Sequence, residues 1–207
     1  MTTTTAKTMR PRAGTAARRQ AALARARALE FEEGHSLQDE RTALRLFDEA
    51  SRVKLHKMGP EERELLSLAA ILHDVGYAVG YEEHHKHAYR LILEEPIPGL
   101  SPHRQELVAQ VARYHRGALP DPDKHRAFAA LDKPDRELVA QLGAILRLAD
   151  GLDRSHTNAV QDLTLALVGD RLVLTLAPGR ADADERWAGG KKGRFFEQVF
   201  GVQLEIR

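Results

Sequence analysis

The run Leu65-Leu66-Ser67-Leu68-Ala69-Ala70-Ile71-Leu72 is apolar on almost every side and ends in His73-Asp74. A segment apolar all round has to be buried, and Pro60, Glu61 and Glu62 mark the first turn of a helix that carries it. The chain is therefore constrained to wrap other elements around a central helix. That helix also delivers an imidazole and a carboxylate, side by side, into the interior. Burying such groups is costly unless each finds a partner, and a divalent cation suits both.

The remaining pattern supplies the wrapping. A helix is expected from about Thr15 to Glu33, stopped by Gly34. Ser36 reads as the N-cap of a second, with Leu37, Ala43, Leu44, Leu46, Phe47, Ala50 and Val53 at helical spacing up to Met58-Gly59. After His73-Asp74, Gly76 permits the chain to leave the helix. A fourth helix is expected over His84 to Glu94, broken by Pro96-Ile97-Pro98-Gly99. Ser101-Pro102 then opens a fifth, through to His115. Residues 117–124 read as a loop rich in Pro and Asp. The stretch from about Pro134 to Arg154 is apolar almost all round and belongs at the centre of the bundle.

Beyond Asn158 the period changes. Leu163-Thr164-Leu165-Ala166-Leu167 and Leu172-Val173-Leu174-Thr175-Leu176 alternate around Gly169-Asp170, which predicts a hairpin. A short helix around Phe195–Phe200 and a strand over Val202–Ile206 complete the chain. The expected architecture is mainly α: a basic leader over 1–14, a helical domain over 15–158, and a small α+β appendage over 159–207.

Composition narrows the function classes. The 207 residues are 43% apolar, enough for a core at this length. A formal charge of +1 makes no case for nucleic acid or an anionic membrane as partner. From Met1 to Leu29 the charged residues are all basic: Lys7, Arg10, Arg12, Arg18, Arg19, Arg25 and Arg27. We read that stretch as a leader running into a helix with a solvated basic face, rather than a nucleic-acid tail or a transit peptide. The absence of cysteine excludes disulfides and thiolate metal sites. Without a signal or membrane-spanning segment, a soluble, cytoplasmic protein is the expectation.

An upstream His35 and a downstream Asp150, the latter inside an apolar helix, extend His73-Asp74 to four donors. Imidazole and carboxylate together suit one or two divalent ions of the Mn, Fe, Co, Ni or Zn type, with Mg also admissible. Each residue alone has a plainer reading. His35 could be a loop histidine, Asp150 could pair with Arg147 or Arg154, and His73 could simply meet the helix dipole. Two further clusters, His84-His85-Lys86-His87 and Arg113-Tyr114-His115-Arg116, fit a second ion with phosphate-binding cations around it. A metal-free hydrogen-bond network is the alternative.

The order His, His-Asp, Asp resembles the HD superfamily of metal-dependent phosphohydrolases. More closely, Ala43-Leu44-Arg45-Leu46-Phe47-Asp48, Ala69 through Tyr77, the two histidine clusters, and Leu146 through His156 resemble the C-terminal HD domain of the exopolyphosphatase/guanosine pentaphosphatase (Ppx/GppA) family. So do the hairpin and the segment Phe195–Gly201, and the likeness runs over about residues 18–207. The resemblance implies an HD-domain helical bundle with His35, His73, Asp74, His84, His115 and Asp150 as metal ligands, His84 being preferred over His85 and His87 because Ala88 follows it by four. It implies a phosphate ester or anhydride as substrate, whether nucleotide, (p)ppGpp-like molecule or polyphosphate, and an attacking water activated by the metal. Asp74 would take a proton, His87 or His156 would protonate the leaving group, and Lys86, Arg116 and Arg154 would neutralise phosphate oxygens. Full-length family members also carry an actin-like half, for which this sequence shows no glycine-rich phosphate loop. Hydrolysis by that route is therefore not expected. The rival reading is a non-catalytic polyanion- or nucleotide-binding module; a homodimer is compatible with either.

Overall fold

The computed structural model describes residues 14–177 and 183–207, so the expected leader falls outside the described residues apart from Gly14. In chain order the helices are α1 (Thr15–Ala28), α2 (Glu33–Arg52), α3 (Pro60–Leu72), α4 (His84–Glu94), α5 (Pro102–Arg113), the single turn α6 (Arg126–Ala129), α7 (Lys133–Gly151) and α8 (Ala183–Phe200). A 3-10 turn (Val75–Ala78) follows α3, and the strands are β1 (Leu163–Val168), β2 (Arg171–Leu176) and β3 (Gln203–Ile206). The protein is mainly helical with a small mixed sheet, as its periodicities imply.

Helix α3 is the axis. Every residue from Leu65 to Leu72 is buried, and α1, α2, α5 and α7 pack around it. Its start is closed by the Glu62 carboxylate, which accepts from the Gly59 backbone N–H at 2.6 Å. Helix α5 is capped by Ser101, whose Oγ accepts from Arg104 N–H at 3.2 Å. Helix α7 is capped by Asp132, which accepts from Asp135 N–H at 2.9 Å. Along α7, Val139, Leu142, Ala144, Ile145, Leu146, Leu148 and Ala149 are fully buried, so the expected second central helix is present.

Three expectations are corrected here. The first helix ends at Ala28, not Glu33, because Glu30 takes a left-handed φ of 53° and Phe31 N–H bonds back to Ala26 O. Helix α2 consequently begins at Glu33, and both Gly34 and Ser36 lie within it. The basic face of α1 is not merely solvated. Arg18 pairs with Glu64 at 2.7 Å and Arg19 with Glu40, while Arg25 donates to the carbonyls of Leu91, Ile92 and Glu95 at the end of α4. These arginines fasten α1 to the bundle.

The third correction concerns the C-terminal helix, which runs over 18 residues instead of the short segment expected. Gly189, Gly190 and Gly193 each cost about 1 kcal/mol relative to alanine in a helix, so local propensity argues against it. Packing reverses the balance. A Cβ on Gly189 would lie 2.7 Å from Leu152 Cδ2, and one on Gly193 would lie 2.8 Å from Leu204 Cδ2. On the facing helix, a Cβ on Gly151 would sit 3.1 Å from Ala188 O. Small residues thus let α8 lie close along α7. The same helix is the crossover joining β2 to β3, which pair in parallel, whereas β1 and β2 form an antiparallel hairpin from Leu163↔Leu176 to Val168↔Arg171. Leu163, Leu165, Leu172, Leu174 and Leu176 face inward from that hairpin. No helix among the described residues is long and apolar enough to cross a membrane.

Candidate metal centre

The donors arrive from five elements. Helix α3 stops at Leu72, and His73 keeps helical angles (φ −62°) while Asp74 turns to φ −106°, ψ 4° to enter the 3-10 turn. Both side chains consequently point inward, His73 being 0% and Asp74 5% exposed. Helix α2 contributes His35, α4 contributes His84 from its first turn, His115 follows α5, and Asp150 comes from the last turn of α7.

Four imidazoles are set for coordination. His73 Nδ1 lies 2.7 Å from Ala70 O, His84 Nδ1 3.0 Å from Tyr81 O, and His115 Nδ1 2.6 Å from Ala112 O. His35 Nδ1 lies 2.8 Å from Asp153 Oδ2. In each case the outer nitrogen donates and Nε2 is directed into the centre, the arrangement by which a partner orients a metal-ligating histidine.

The two Asp74 oxygens serve different groups. Oδ2 is 3.4 Å from His73 Nε2 and 3.8 Å from His35 Nε2, while Oδ1 is 3.3 Å from His84 Nε2 and 3.4 Å from His115 Nε2. On the first side, His35 Nε2 also lies 3.7 Å from Asp150 Oδ1. Donors about 2.1 Å from one cation sit about 3.0–3.4 Å from each other, close to these separations. The buried atoms His73 Nε2 and Asp74 Oδ1 have no hydrogen-bond partner among the described residues, and a cation is a group that would satisfy both. The donor set fits one or two divalent ions of unspecified identity.

Electrostatics agree. Burial opposes a charged His73, but Asp74 and Asp39 outweigh it and push the imidazole up to about 9. Burial likewise opposes ionisation of Asp74, yet His73, His84 and His115 hold it well below the usual carboxylate range. Burial pushes His115 well down, so it stays neutral. The cluster draws in positive charge, and cation binding would displace the proton on His73.

Residues 17–183 match the family model for the Ppx/GppA phosphatase, domain III. The chain belongs to the Ppx/GppA family. The match spans α1 through the hairpin and includes every imidazole and carboxylate described so far. Beyond it, α8 brings Trp187, Ala188, Lys191 and Lys192 to the cavity over the Ppx/GppA centre.

That cavity holds about 410 Å³ and exposes His35, Asp74, His84, His115 and Asp150 at its floor, with Tyr77, Arg116, Arg147, Arg154 and His156 around it. Of the proposed phosphate-binding residues it therefore gathers Arg116 and Arg154. It does not gather Lys86, which pairs with Glu83 and lines a separate cavity of about 260 Å³ together with His85. His87 lines neither. Along α4 the inward face is His84, Ala88 and Ile92, so Lys86 and His87 are turned away by helical geometry, while His85 packs edge-on to the His115 ring at 6.5 Å without lining the cavity. His156, with φ 55°, stacks on His35 at 3.8 Å between ring centroids, and its Nδ1 lies 2.8 Å from Glu32 Oε2.

Three residues of the centre escaped sequence reasoning. Asp39, fully buried, lies 3.5 Å from His35 Nε2 and 3.4 Å from His73 Nε2. Its signal was the four-residue spacing from His35, concealed by starting the helix at Ser36. Asp153 orients His35 and accepts from Asn158 N–H at 2.9 Å. Lys192 ion-pairs with Asp150, taking the place considered for Arg147 or Arg154. Burial lowers the Lys192 ammonium from its ordinary value, and Arg147 instead donates to the carbonyls of Tyr114 and Gly117.

Proposed function

We propose that this chain is a metal-dependent phosphohydrolase that cleaves a phosphate ester or anhydride. The observation that carries the reading is the division of Asp74 between two groups of pre-oriented imidazoles, directly beneath a cavity rimmed by cations. His35, His73, Asp74 and Asp150 would hold one ion, and His84, His115 and the second Asp74 oxygen another. A divalent ion so held lowers the pKa of water and neutralises charge on a phosphoryl oxygen.

The protein's own residues do the remainder. Arg116, Arg154 and Lys192 face the cavity and bind phosphate oxygens, the arginines through a fork that matches two oxygens at once. Asp74, held ionised by the imidazoles around it, serves as a ligand rather than as a base, and His156, at the rim with one nitrogen held by Glu32, donates a proton to the leaving group. The substrate is a phosphorylated small molecule or a polyphosphate.

Phosphate release tests this. Metal-stripped protein is reloaded singly with Mn, Fe, Co, Ni, Zn or Mg and offered nucleotides, (p)ppGpp and short polyphosphate, with Asp74→Ala as control. The expected result is metal-dependent turnover lost in the variant. Tight polyanion binding without turnover under any ion would refute the enzyme and leave a binding module.

A further inference from the structure

Asp39 is a buried carboxylate beside the centre that the hydrolase reading does not require. It is 0% exposed, on the inner face of α2 one turn after His35, and neither of its oxygens has a hydrogen-bond partner among the described residues. An interior carboxylate in that condition is costly. A salt bridge does not account for it. Its Oδ2 stands 3.5 Å from His35 Nε2 and 3.4 Å from His73 Nε2, whereas a charge-assisted N–H···O contact closes to about 2.7–2.9 Å. The carboxylate faces two imidazole nitrogens across a gap, and His35, Asp39, His73 and Asp150 each place a donor atom within 4.8 Å of all the others.

We infer that Asp39 is a fifth donor to the ion held by His35, His73, Asp74 and Asp150, and that it biases this position toward six-coordinate ions such as Mn(II) or Fe(II) and away from Zn(II). The inference rests on the metal reading above. Its chemistry follows from the donor count. Two imidazoles and three carboxylates exceed the four ligands of an ordinary tetrahedral zinc site. The added donor is a hard oxygen, which suits octahedral manganese and ferrous iron.

The test uses the metal alone on the full chain, after chelation, so that it does not depend on turnover. Mn(II) and Zn(II) affinities are measured by competition, the visible spectrum of the Co(II) form reports coordination number, and thermal unfolding is followed without metal. Asp39→Asn should weaken Mn(II) by at least about tenfold, the lower bound for losing even an outer partner of a ligand, with a smaller change for Zn(II). The weak Co(II) bands of six-coordination should become more intense.

An unchanged Mn-to-Zn preference and Co(II) spectrum would overturn the proposal while leaving the hydrolase reading intact. Failure of the wild type to bind any ion would overturn both. Asp39→Val, close in size and apolar, is the second variant. If either folded variant keeps the wild-type Mn-to-Zn preference, the carboxylate is structural and the proposal falls.

Discussion

Gly76 lies where the 3-10 turn after Asp74 passes under α4, and Gly76→Ala is the substitution whose outcome the structure specifies most closely. An added Cβ would lie 1.9 Å from His84 O and 2.6 Å from Ala88 N, where ordinary contact begins at 3.4 Å. The shortfall is 1.5 Å, and both obstructing atoms are backbone, so no side-chain rotation can relieve it. Helix α4 must retreat, and His84 retreats with it from Asp74 Oδ1, now 3.3 Å away. Overpacking against yielding side chains costs about 1–3 kcal/mol, and rigid backbone places this case at the upper end or beyond. For a domain of this size each kcal/mol moves Tm by about 2–4 °C, so a loss of 3 kcal/mol predicts a fall of about 6–12 °C. Thermal unfolding by circular dichroism measures that, and metal analysis of the same sample should show the position served by His84 and His115 emptied first. A Tm within about 2 °C of wild type, with unchanged metal content, would refute the reasoning.

Two further predictions probe the scaffold. Ser101→Ala removes the α5 cap and should cost about 1 kcal/mol, read as a small downward shift in urea midpoint with an unchanged m-value. His56 is a buried neutral imidazole, its Nε2 donating to Phe47 O at 3.0 Å and its Nδ1 accepting from Met58 N–H at 3.2 Å. Burial lowers its pKa. The unfolded chain then takes up a proton near pH 6.5 while the folded protein does not, so stability is full above that pH and declines as pH falls below it. His56→Gln should flatten this decline relative to wild type, and superimposable pH profiles would refute the assignment.

Much of the bundle was legible because its boundaries are written in local chemistry. Pro60, Ser101-Pro102 and Pro134 mark helix starts through local chemistry that needs no distant partner. The centre was legible where an apolar run carries an unexpected charge, as at His73-Asp74 and Asp150. It was illegible where a boundary moved: four residues of error at the start of α2 hid Asp39 from His35. Lys86 and His87 stand out by composition, but a helix presents only one face to a site, and theirs is turned away. Gly76 reads as an exit from a helix, yet its φ is not positive, and the space it leaves serves α4. The length of α8 and the reach of Lys192 were unreadable for one reason. Glycines that weaken a helix in isolation are what allow this one to lie against α7.

Asp74 has a single carboxylate plane, and both of its oxygens are in use. A torsion that improves the view of His35 and His73 necessarily alters the view of His84 and His115. The two halves of the centre therefore share one degree of freedom and form one thermodynamic unit. An affinity measured for an ion on either side would include the orientation imposed by the other side, and substitutions on opposite sides of Asp74 would not sum as independent effects.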